Sequence, residues 1–165
     1  QINDEILGYN LKNNEFYTWK VKIISSINQP IAEINNGALQ ITPEHPIYFK
    51  NENGTNGWGA VLPNEKTARG LNEKVEKIDL NDKIFSKHGE WIEISSIEYL
   101  PGFIQTYNIL SYSGTNTYFA NGFLVFEEFP QLSALLQFLL NQKQPIIYLL
   151  NLFISGKLKV FPNIF

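Results

Sequence analysis

Ile2-Asn3-Asp4-Glu5-Ile6-Leu7 recurs 78 positions later as Leu80-Asn81-Asp82-Lys83-Ile84-Phe85. Downstream of each copy lies a Trp-led run ending in Ser-Ser-Ile: Trp19 to Ile27 in the first half, Trp91 to Ile97 in the second. Matching features in the same order imply a duplicated unit. A single period is too few for a solenoid, which needs at least about three repeats. The chain therefore predicts two similar halves, related by a pseudo-twofold and sharing one core. Its 165 residues suit one ordinary domain with a short appendage.

The halves read as β. Up to Phe126 the chain is a series of short extended runs broken by turn dipeptides. Asn-Gly stands at 36/37, 53/54, 56/57 and 121/122, and this pair readily takes the positive φ angles of two-residue hairpin turns. The clearest hairpin is Thr117–Ala120, Asn121-Gly122, Phe123–Phe126. A second should turn at His88-Gly89, pairing Lys83–Ser86 against Trp91–Ile97. Asn53-Gly54-Thr55 has the form of a glycosylation sequon and is read as turn chemistry.

Composition narrows the partners. Thirteen Lys+Arg against sixteen Asp+Glu give a net charge of −3, and Arg69 is the sole arginine. Nucleic acid is excluded as a partner, since phosphate neutralisation and base reading need clustered Arg or Lys. The absence of Cys removes disulfides and thiol nucleophiles from these residues. His45 and His88, far apart and without Cys, do not resemble a metal site of about four ligands, and no cofactor is implied. His88, before Gly89 in a turn, should face solvent. Plentiful Ile, Asn, Lys, Phe and Tyr point to an A/T-rich genome such as that of a large virus, and a virus particle is one expected location.

After Phe129-Pro130 the period changes. Leu132, Leu135, Leu136, Leu139 and Leu140 lie on one face of a helix expected over 131–141. A second apolar stretch follows, Ile146–Ile154. Neither approaches the ~20 apolar residues of a membrane span, and neither carries the Lys/Arg flank of a membrane-surface helix. The expected division is a β domain over 1–127 and an apolar, helical extension over 128–165, with residues 131–154 contacting a protein partner.

Leu39-Gln40-Ile41-Thr42-Pro43-Glu44-His45-Pro46-Ile47-Tyr48-Phe49 resembles the T-x-x-H block of the intein/hedgehog-type (Hint) self-processing family. Tyr107-Asn108-Ile109-Leu110, followed by Thr117-Tyr118-Phe119-Ala120-Asn121-Gly122-Phe123-Leu124-Val125, is similar to the family's C-terminal block. There a Y-N/D-L strand leads into F-x-A-N-G-x-L-V-H-N. Asn3-Asp4-Glu5-Ile6-Leu7 resembles the strand that follows the family's nucleophile. The resemblance spans about residues 3 to 126 and implies an all-β, pseudo-twofold, horseshoe-like Hint fold, here with a short helical appendage.

The resemblance also implies chemistry. In the family an N-terminal Cys or Ser attacks the preceding carbonyl. The block Thr and His, here Thr42 and His45, hold that peptide and protonate its nitrogen, help that amide resonance makes necessary. A His-Asn pair then releases the C-terminal side as the Asn amide cyclises. Two departures stand out. Gln1 is no acyl acceptor, so the first step is not expected within these residues. Phe126 and Glu127 occupy the His-Asn junction, so Asn cyclisation is not expected there either. The reading is a Hint-like domain that has lost autocatalytic cleavage and splicing, is no longer an enzyme, and serves as a structural or interaction module. The alternative is one product of a cleavage-competent precursor whose Cys or Ser lies upstream of Gln1.

Overall fold

A computed structural model of the chain describes residues 1, 3–21, 23–64, 71, 73–110 and 117–127. All of them fall within one unit, Gln1–Phe129. The expected helix over 131–141 and the rest of the 128–165 extension lie outside the described residues.

The described residues form strands and turns, and no helix. In the first half these are β1 Glu5–Asn10, β2 Glu15–Lys20, β3 Ile23–Gln29, β4 Ala32–Ile34, β5 Leu39–Ile41, β6 Ile47–Lys50, β7 Asn56–Ala60 and β8 Val75–Lys77. The second half supplies β9 Lys83–Phe85, β10 Trp91–Glu93, β11 Ile97–Tyr99, β12 Ile104–Leu110, β13 Thr117–Ala120 and β14 Phe123–Phe126.

The centre is a seven-stranded sheet ordered β10-β9-β6-β14-β13, with β7 on β6 and β8 parallel to β7. Side chains alternate faces along a strand, and both faces of this sheet are covered. Ile47 and Phe49 of β6, Ile84 of β9, and Phe123 and Val125 of β14 enter one core with Trp19, Val21, Ile34 and Leu39. Phe85, Leu124 and Phe126 enter the other with Trp58 and Ala60. The continuous apolar run of β14 follows from this double burial, since neither of its faces meets water.

The duplication appears in the hydrogen bonds. Asn3 N donates to Val21 O at 2.8 Å and Val21 N to Asp4 O at 3.0 Å. In the second half Asn81 N donates to Ile94 O at 3.0 Å and Ile94 N to Asp82 O at 2.7 Å. Asn3 and Asn81 share the left-handed backbone, with φ of 74° and 71°. In each copy the Asp carboxylate accepts from a main-chain nitrogen three residues earlier, Gln1 for Asp4 and Asp79 for Asp82. The halves meet where Ile47 of β6 faces Val125 of β14, again 78 residues apart.

The third strand of each half leaves its own half. β3 pairs along its length with β12, and β11 pairs with β4, so the halves exchange partners. This explains one departure from the expected second hairpin. β9 and β10 pair as anticipated around His88-Gly89, with Phe85 opposite Trp91, but the pairing stops at Glu93. Ser95 and Ser96 turn aside to bind Asn35: Asn35 Oδ1 accepts from Ser95 N at 2.8 Å, and Asn35 N donates to Ser96 O at 3.0 Å. Ile97 then belongs to β11.

Two further expectations need correction. Trp19 is not the counterpart of Trp91. Register pairs Ile6 with Trp19 and Ile84 with Ile92, so Trp19 matches Ile92. The hairpin loops differ in length, which displaces the sequence match by one residue. Asn56-Gly57 is not a turn either. The β6–β7 hairpin turns one dipeptide earlier, where Asn51 Oδ1 accepts from Thr55 N at 2.9 Å and Gly54 adopts φ 83°. Asn56 and Gly57 instead sit in β7 opposite Lys50 and Phe49. The Asn121-Gly122 hairpin forms as expected, with φ of 47° and 88°.

Candidate functional site

Thr42 to Pro46 link β5 to β6, and three main-chain bonds shape the link. His45 N donates to Thr42 O at 3.0 Å, closing a turn. Leu62 N donates to Pro43 O at 2.7 Å, and Phe126 N to Pro46 O at 3.0 Å. Pro43 and Pro46 are buried, Glu44 is exposed, and Thr42 and His45 lie between. Proline suits this link because its fixed φ and missing N–H keep the segment from extending the ladder while its carbonyl still accepts. Thr42 and His45 are thus held on one short turn against the end of β14.

His45 retains some exposed surface, yet its Nε2 is buried and has no hydrogen-bond partner among the described residues. Burial penalises the charged imidazolium and lowers its pKa from the usual 6.5 to about 4. At neutral pH the ring is therefore uncharged, with one nitrogen unsatisfied. A buried polar atom left without a partner costs about 1–3 kcal/mol, so such atoms are rare and call for an explanation. His88 is exposed, as its place in a turn predicted.

Across the Pro46–Phe126 bond lie Phe126 and Glu127. The Phe126 ring packs on Trp58, centroids 5.5 Å apart, inside the second core. Glu127 is only 4% exposed. Tyr118 Oη donates to its Oε2 at 3.2 Å. Burial, followed by the Glu127 charge, pushes the Tyr118 hydroxyl well above its ordinary range, so it stays protonated and able to donate. Trp19 meets the Tyr118 ring edge-on at 6.1 Å, and its Nε1 donates to Thr117 O at 3.3 Å. Thr117 Oγ1 in turn donates to Tyr9 O at 2.7 Å, binding the β1–β2 hairpin to β13.

Sequence reasoning identified Glu127 only by what it replaces. The tyrosine that holds it was missed, although Tyr118 and Glu127 flank the Asn121-Gly122 hairpin and the hairpin register brings that tyrosine opposite Val125. Thr117 was missed as well, because its partners lie about a hundred residues away.

Together the pseudo-twofold, the exchanged strands and the turn carrying Thr42 and His45 beside the end of β14 define a Hint-type, intein-like fold. Solved structures agree. The intein-like domain from Clostridium thermocellum superposes with a TM-score of 0.57 at 16% identity, over 77% of this chain and 83% of that one. The DnaB intein from Synechocystis sp. PCC 6803 gives 0.54 at 18%, over 78% and 82%. The PabCDC21-1 intein gives 0.53 at 18%, over 74% and 69%. At these identities the likeness establishes the fold. No sequence-family model and no curated protein matches the chain.

Proposed function

We propose that this chain is a Hint-fold domain that does not process itself and acts as a structural or interaction module, in an assembly such as a virus particle. The observation that carries the reading is the state of Glu127, buried and bonded to Tyr118 where the family places its cyclising Asn. Cyclisation needs a side-chain amide nitrogen to attack its own main-chain carbonyl, and a carboxylate has none. The neighbouring Phe126 has no proton to give or take, and its ring is committed to the second core. Loss of an assisting acid slows a reaction about 10²- to 10⁴-fold, whereas loss of the reacting group removes the pathway.

His45 favours a second reading. A neutral imidazole whose buried Nε2 has no partner among the described residues suits a group that bonds a peptide supplied from elsewhere. In that reading Thr42 and His45 assist cleavage of a precursor whose Cys or Ser lies upstream of Gln1.

One experiment separates the two. The 165-residue chain, fused between two reporter domains, should keep a single intact mass over days. Fragments at the upstream junction, once the native preceding residues are restored, would support the precursor reading instead. The paired change Phe126→His and Glu127→Asn should produce slow cleavage after residue 127, with little further effect of substituting His45.

A further inference from the structure

The β3–β12 ribbon has no third strand beside it among the described residues. Its strands pair with each other over seven residues, from Ile23 opposite Leu110 to Gln29 opposite Ile104. Ser26, Ile27 and Asn28 on one strand, and Ile104, Gln105, Tyr107 and Asn108 on the other, are exposed. By register these residues belong to both faces of the ribbon. A two-stranded ribbon is marginal in water, and a third strand stabilises it.

The ribbon also exposes apolar surface: Tyr107 is 60% exposed, Ile27 55% and Ile104 41%, and Phe103, just before β12, 73%. Neither strand contains a charged residue or a proline. Edge strands that must refuse further pairing carry Lys, Pro, a bulge or an inward charge, and β12 has none of the first two.

Charge selects the occupant. The chain as a whole carries −3, so two copies repel except where a contact strip is free of charge. In a twofold antiparallel pairing the central residue faces its own counterpart, and any charge there would face its like. β12 is a seven-residue strip with no charge and with Tyr107 at its centre. We propose that β12 pairs antiparallel with β12 of a second copy, Tyr107 beside Tyr107 of that copy, giving a continuous four-stranded sheet β3-β12-β12-β3. This pairing is independent of whether the domain processes peptide bonds.

Sedimentation velocity of the full chain across a concentration series should reveal a reversible dimer. Hydrogen exchange should become slower over 104–110 as concentration rises, with β1 and β2 unchanged. Tyr107→Lys should weaken the dimer by about tenfold or more, through loss of the aromatic pair and gain of a like-charge pair. Mixing Tyr107→Lys with Tyr107→Glu should restore it as a mixed pair. A chain that stays monomeric at its highest soluble concentration, a dimer indifferent to both substitutions, or protection that appears elsewhere overturns the proposal. Should the variants lose their native circular dichroism, the exchange profile of the unaltered chain decides alone.

Discussion

His45 makes the domain's stability depend on pH in a predictable direction. Its folded pKa of about 4 lies below the unfolded 6.5, so between those values the unfolded chain binds the extra proton. Stability from this group is therefore complete above about pH 6.5 and declines as pH falls towards 4, by about 3 kcal/mol in all. Urea titrations across that window should record the decline, and His45→Ala should flatten it. The Thr-x-x-His spacing made both residues visible in the sequence. The unpartnered Nε2 was not visible, because it depends on the packing of a turn held in place by Leu62 and Phe126, one of them far along the chain.

At the level of elements, the first hairpin packs tightly against β13. Gly8 faces Tyr17 across β1 and β2, and a Cβ at residue 8 would sit 2.4 Å from Tyr17 Cζ and 2.6 Å from Thr117 O. The Tyr17 hydroxyl donates to that same carbonyl at 2.8 Å. Gly8→Ala should therefore displace the ring and loosen the hairpin from β13, at a cost of about 1–3 kcal/mol measurable by denaturant unfolding. Hairpins were largely legible, because turn chemistry is local: Asn121-Gly122 and His88-Gly89 formed where expected. Asn56-Gly57 misled because Asn51, five residues earlier, captures the turn with its own side chain. The end of β10 was illegible for a different reason, since Asn35, which draws Ser95 and Ser96 away, lies some sixty residues off.

For the whole molecule the sequence revealed two halves but not their exchange. An apolar pattern tells which residues are strands; it does not tell which strand accepts them. Because β3 finds its partner in β12 and β4 finds one in β11, neither half completes its sheets alone. Residues 1–79 and 80–165, produced separately, should each lack dispersed amide resonances, and mixing them should restore a dispersed spectrum. Two fragments that fold independently would contradict the exchanged pairing.

The repeated opening segment has another consequence. One backbone shape written twice in one chain is a natural substitution experiment, with each copy the control for the other. Glu5 stands against Lys83 and Leu7 against Phe85, so charge sign and side-chain bulk at those places are free to drift. Asn3 against Asn81 and Asp4 against Asp82 did not drift. What persisted is the residue that tolerates a left-handed φ, the carboxylate that ties down the turn before it, and the core-facing isoleucine, Ile6 against Ile84. The molecule thus carries an internal two-line alignment in which backbone demand and one core contact together mark the unchanged columns.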